Sequence, residues 1–117
     1  MEKDGTVLTE YFGGNPMLRI LEFLIENKIF DYSKKQIAEE TGISKVTFLK
    51  YFKKLEELGL VTITRKFGKT KLYTLNESNP FTRKFIELTL FLANYSAQRL
   101  SQKQKLAVWE FEIKVFK

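Results

Sequence analysis

Residues 36–50 read Gln36-Ile-Ala-Glu-Glu-Thr-Gly-Ile-Ser-Lys-Val-Thr-Phe-Leu-Lys50, and three small residues in that run decide the fold. Where a short helix crosses a second one steeply, the first needs a small side chain at the crossing. The chain between them needs a glycine to reverse direction without a Cβ clash, and the second helix needs a side-chain oxygen for its first free amides. Ala38, Gly42 and Ser44 supply these in order. The run therefore predicts two helices joined by a tight turn, the second starting after Ser44.

The charge distribution bears on what such a pair is for. From Ser33 to Tyr73 there are ten basic residues, Lys34, Lys35, Lys45, Lys50, Lys53, Lys54, Arg65, Lys66, Lys69 and Lys71, against four acidic ones, Glu39, Glu40, Glu56 and Glu57. The net +6 of this segment equals that of the whole chain, so the remainder is neutral. A solubilising lysine coat would be spread along the sequence. Confinement to one continuous third is the footprint of a phosphate-binding surface, which makes the pair a DNA-binding helix-turn-helix.

With 117 residues, 44% hydrophobic content and eleven Phe, the chain can pack one small domain with an appendage. The absence of Cys excludes disulfides and thiolate metal sites, and the absence of His removes the usual zinc ligand and general base. Carboxylates are not clustered, and Gly13-Gly14 reads as a loop rather than a phosphate cradle. No catalytic constellation emerges, so neither an enzyme, a cofactor nor a metal is expected. No apolar run approaches the roughly 20 residues needed to cross a bilayer, and the N-terminus lacks a secretory apolar core. The expectation is a soluble cytoplasmic protein with no membrane partner.

Working outward, Asn15-Pro16 is a helix start, a capping side chain before a proline whose fixed φ suits the first helical position. Met17, Ile20, Leu21, Leu24 and Ile25 then keep helical spacing to about Lys28, with Arg19, Glu22 and Glu26 assigned to the solvated side. Ser33 caps the helix that ends at Gly42. In the helix after Ser44, at about 100° per residue, Phe48, Leu49, Phe52 and Leu55 fall on one side. Val46, Thr47, Lys50, Lys53 and Lys54 fall on the other, with Tyr51 at the boundary. An outward face of lysines with a short hydroxyl and a valine suits a helix lying in a major groove, where Thr47 and Val46 approach base edges.

Gly59 ends that helix. Leu60 to Phe67 is rich in β-branched residues, Gly68-Lys69 is a turn, and Thr70 to Leu75 is a second strand. The resulting hairpin carries Arg65, Lys66, Lys69 and Lys71 toward its tip. Residues 15–76 resemble a winged helix-turn-helix domain of the prokaryotic, especially archaeal, transcription-regulator type. The phrase Lys53-Lys54-Leu55-Glu56-Glu57-Leu58-Gly59-Leu60-Val61, followed by a basic hairpin, carries the resemblance. It implies a major-groove reader in the helix after the turn and a wing on the minor groove or flanking phosphates. Lys45, Thr47, Lys50, Lys54, Arg65 and Lys69 would then touch DNA. Phe48 stands where many members have a smaller aliphatic residue.

Asn79-Pro80 repeats the cap-plus-proline start, opening a helix over 79–106 with two apolar stripes about 140° apart. Phe81, Phe85, Leu88, Leu92 and Tyr95 form one stripe; Ile86, Leu90, Ala93, Ala97 and Leu100 form the other. A single small domain covers one of them; the second implies a twofold partner helix, with Ala93 and Ala97 permitting close approach, or else cover by the N-terminal segment or the C-terminal tail within one chain. The tail 107–117 alternates Trp109, Phe111, Ile113 and Val115 with charged residues, which suits a strand paired with Thr6 to Tyr11 or with the same tail of a second copy. Leu106, Trp109, Ile113 and Phe116 also keep helical spacing, so both readings stand.

The fold class expected is thus mainly α with a small β-hairpin wing: a winged helix-turn-helix, a long C-terminal dimerisation helix and a possible terminal strand. The function expected is sequence-specific double-stranded DNA binding as a homodimeric transcriptional regulator, in the repressor sense. Its DNA surface comprises Lys34, Lys35, Ser44, Lys45, Val46, Thr47, Lys50, Tyr51, Lys53, Lys54, Arg65, Lys66, Lys69 and Lys71. The rival readings are a winged-helix interaction or assembly module and a plasmid- or replication-associated DNA-binding protein. A small-molecule effector is left open.

Overall fold

The computed structural model describes residues 7–97, 109–110 and 112–115. Its elements are helices α1 (Val7–Phe12), α2 (Pro16–Glu26), α3 (Lys34–Thr41) and α4 (Lys45–Glu57), strands β1 (Val61–Phe67) and β2 (Thr70–Leu75), and helix α5 (Pro80–Ala97). This is a winged helix-turn-helix: mostly helical, with one antiparallel hairpin.

The helix starts follow from their caps. The Asn15 side chain accepts from the amides of Met17 at 2.8 Å and Leu18 at 3.4 Å, with Pro16 in the first turn of α2. Ser33 and Gln36 close a reciprocal box, each side chain accepting from the other's backbone N–H at 3.1 and 2.8 Å. Ser44 accepts from Thr47 N–H at 3.4 Å. Gly42, at φ +71, ends α3 in the left-handed conformation, its amide reaching the Ala38 carbonyl at 3.0 Å. Arg19 donates to the Thr41 carbonyl, placing a cation at the negative end of α3 and tying α2 to the turn.

The core sits where α2, α4 and the base of the hairpin converge, and its centre is aromatic. Phe48 stacks on Phe52 with centroids 5.1 Å apart, and Phe52 meets the edge of Tyr73 at 5.0 Å. The large residue at Phe48 thus fits by joining a ring ladder. Tyr32 makes an isolated antiparallel bridge with Tyr73, the two backbones exchanging hydrogen bonds of 3.0 and 2.8 Å. That bridge holds the entry to α3 against the wing. At the other end, Asn79 both accepts from Phe81 N–H at 2.8 Å and donates to the Leu58 and Gly59 carbonyls. One side chain therefore starts α5 and closes α4.

Several expectations are corrected. Thr6 to Tyr11 does not serve as a strand: α1 covers Val7–Phe12 and packs on α2 and α5. Glu22, assigned to solvent, is buried beneath it, and its carboxylate accepts from the Leu8 amide at 3.2 Å, a negative charge placed at the free donors of a helix start. The tail expected as a possible strand is helical at 109–110 and 112–115. Among its described residues Val115 is buried, while Trp109 faces solvent and Lys114 pairs with Glu26 at 3.7 Å. Of the helical face drawn through Leu106, Trp109, Ile113 and Phe116, Trp109 is exposed and Ile113 half-buried, and the other two lie outside the described residues. In α4, Leu49 is exposed at the margin of the core face, since the buried sector closes around Phe48, Phe52 and Leu55.

The stripes of α5 are likewise exchanged. Ala93 is fully buried and Ile86 and Leu90 pack against the core, so the stripe assigned to dimerisation is the one docked on the domain. The side chain of Ala97 and the whole of Leu100 lie outside the described residues. The stripe assigned to the domain is split: Leu92 is buried and Phe85 half-buried, but Phe81, Leu88 and Tyr95 face outward together with Phe91. Residues 82, 86, 89 and 93 face inward, so Thr82 and Thr89 are buried on the docked face. Thr89 makes this tolerable by donating its hydroxyl to the Phe85 carbonyl at 2.8 Å. Among the described residues, no helix is long and apolar enough to cross a membrane.

Candidate nucleic-acid interface

Helix α4 turns Lys45, Val46, Leu49, Lys50, Lys53 and Lys54 to solvent, with Val46 81% exposed. Thr47 and Tyr51 are half-buried at the flanks, and the Lys50 ammonium lies 5.4 Å above the Tyr51 ring. Lys35, the exposed second residue of α3, belongs to the same module. Among the described residues, no carboxylate lies within ion-pair distance of Lys35, Lys45, Lys50, Lys53 or Lys54. Among the described residues, nothing neutralises these cations.

The hairpin adds a second such group. Its register sets Lys66 directly opposite Lys71 and Phe67 opposite Thr70, with Gly68-Lys69 as the two-residue turn. Gly68 has φ +59 and, among the described residues, no non-glycine residue has positive φ, so Lys69 does not, the pattern of a turn that needs glycine at its first central position. Like charges directly across an antiparallel pair repel, and among the described residues no acid offsets Lys66, Lys69 or Lys71. An arrangement that costs stability in the free protein is one that an anion would relieve.

Two residues expected on the DNA surface are engaged within the chain instead. The Lys34 ammonium lies 5.5 Å from the Phe52 ring centre and 5.7 Å from that of Tyr73, and 3.7 Å from Glu56. It lids the aromatic core. Arg65 forms a two-point pair with Asp31, Nε to Oδ2 and Nη2 to Oδ1, both at 2.9 Å. A β-bulge between Ile63 and Arg65 leaves Thr64 out of the register, and its hydroxyl joins the Asp31 carboxylate. The clamp fastens the wing to the segment that enters α3.

Hydrogen bonds from Arg65 and then Thr64 hold the Asp31 carboxyl down at about 2, from an ordinary 3.8. A depressed carboxylate stabilises the fold above its unfolded value and loses that contribution as pH falls toward 2. Asp31→Asn is therefore expected to lower the urea midpoint at pH 7, with the two proteins converging near pH 2. A gap that persists in acid would show that the substitution acts by another route.

The sequence pattern missed Leu49 on the exposed face and the Asp31–Thr64–Arg65 clamp. The first is a marginal wheel position. The second joins residues more than thirty apart, and only the bulge brings them together.

Comparison with known proteins agrees with this geometry. Residues 17–69 match the model of a family described as an HTH domain. That match spans the helix-turn-helix and most of the wing of a chain whose fold is a winged helix-turn-helix. Among solved structures, it resembles ZitR of Lactococcus lactis in a doubly substituted variant, at 20% identity, TM-score 0.50, covering 85% of this chain and 72% of that one. The apo form of that variant matches at 20% identity and TM-score 0.51, covering 92% and 86%. At such identity the likeness is one of fold. No curated protein sequence matches the chain.

Proposed function

We propose that this winged helix-turn-helix chain is a homodimeric, sequence-specific repressor that occludes duplex DNA, with α4 in the major groove and the hairpin on the neighbouring backbone or minor groove. The opposed Lys66 and Lys71, without an offsetting acid among the described residues, carry the reading. They make the hairpin a phosphate clamp rather than a solvated loop. Lys35, Lys45, Lys50, Lys53, Lys54 and Lys69 supply further phosphate contacts. Ser44, at the start of α4, and Val46 and Thr47 in its first turn are the groups nearest base edges.

Dimerisation is assigned to the outward face of α5. Phe81, Leu88, Phe91 and Tyr95 recur there at helical spacing, and Phe91 and Tyr95 stack with centroids 6.1 Å apart. Burying such a row against its twofold copy removes an aromatic strip from water and duplicates the DNA surface. An assembly module would use the same strip, but would leave the basic face without a task. Selection of bound sequences from a random duplex pool distinguishes the two. The proposed function yields an inverted repeat; an unenriched pool would reject it.

A further inference from the structure

We infer that Phe67 is a wedge which enters the minor groove and opens a base step, so that the protein selects DNA partly by how easily the duplex deforms. The inference rests on the DNA-binding reading and goes beyond it.

The exposed face of α4 contains no Asn or Gln to read adenine with paired hydrogen bonds and no Arg to grip guanine with a rigid fork, which leaves guanine to its flexible lysines. Gln36 is consumed by the cap of α3 and Arg65 by Asp31. What α4 offers to bases is apolar contact from Val46 and Leu49, the Thr47 hydroxyl and flexible lysines. Such a surface reads base edges through few rigid hydrogen bonds, and deformability of the duplex is a further source of specificity.

The wing has a device suited to reading it. Phe67 is 59% exposed immediately before the turn, at the far end of a hairpin whose distal half is exposed on both strands. Strand alternation puts its ring on the opposite face from Lys66 and Lys71. The Arg65 guanidinium lies 5.3 Å from the ring centre, and Asp31 fixes that guanidinium in turn. The ring is thereby braced from the protein side while its far side is open. A braced apolar blade between cations has the composition of side chains that enter the minor groove and part a stacked step. Pyrimidine–purine steps open most easily.

The test compares two duplexes of equal length and A·T composition, one of alternating TpA steps and one an A-tract, each with one adenine replaced by 2-aminopurine. The full chain is expected to bind the alternating duplex roughly tenfold more tightly and to raise its 2-aminopurine fluorescence. Phe67→Ala, with an unchanged unfolding midpoint and salt slope, should lose both effects, and Phe67→Leu should keep most of each. Equal binding of both duplexes, or a preference surviving in Phe67→Ala, would overturn the wedge while leaving DNA binding intact. Absence of salt-dependent binding to either duplex would overturn the underlying reading and the wedge with it.

Discussion

Phe52→Ala is expected to destabilise the protein by about 3–5 kcal/mol, the usual cost of truncating a fully enclosed aromatic. The ring is completely buried, stacks on Phe48 at an interplanar angle of 23°, and takes Tyr73 edge-on at 84°. It also lies beneath the Lys34 ammonium, so its removal leaves a cavity and strips a charged group of its ring contact. Since Tyr73 bridges to Tyr32, the damage extends to the joint between wing and helix pair. A domain of this size has about 5–15 kcal/mol in hand, so much of the population should be unfolded at moderate urea. A midpoint shift worth less than about 1 kcal/mol would mean that the ladder is not the core's centre.

Phe91→Glu is expected to convert a dimer into a monomer, because it sets a carboxylate in the middle of the outward face of α5. Phe91 is the most exposed of the four residues there, at 61%, so the free chain should fold normally. Losing the second DNA-binding unit removes the advantage of linked contacts, commonly 10²–10⁴ in affinity. Binding to an inverted repeat should fall within that range, while binding to a single half-site should hardly change. Sedimentation measures the first effect and titration against both duplexes the second. A variant that remains dimeric would place the interface elsewhere.

Features legible in the sequence were those decided within a few residues. The caps at Asn15, Ser33, Ser44 and Asn79, the glycine at 42 and the Gly68-Lys69 turn each rest on one side chain meeting nearby backbone. The core face of α4 was also legible, apart from Leu49 at its margin. Which stripe of α5 faces inward was not, because both are apolar and Thr82 and Thr89 break the simple contrast between them. The burial of Glu22 depends on α1, a six-residue helix too short to leave a periodic signal. At the interface, ten basic residues could be counted, but not sorted. Only the fold separates Lys34 and Arg65, which brace the domain, from the lysines that face solvent unpaired.

The dependence of duplex affinity on salt tests the central claim most directly. If the lysines of α4 and the wing grip phosphates, log K falls linearly with log salt, by about 0.9 for each phosphate neutralised. Lys53→Ala and Lys69→Ala should each flatten that slope by about one unit per bound protomer. A flat dependence in the wild type, or the same steep slope in both variants, would contradict the account.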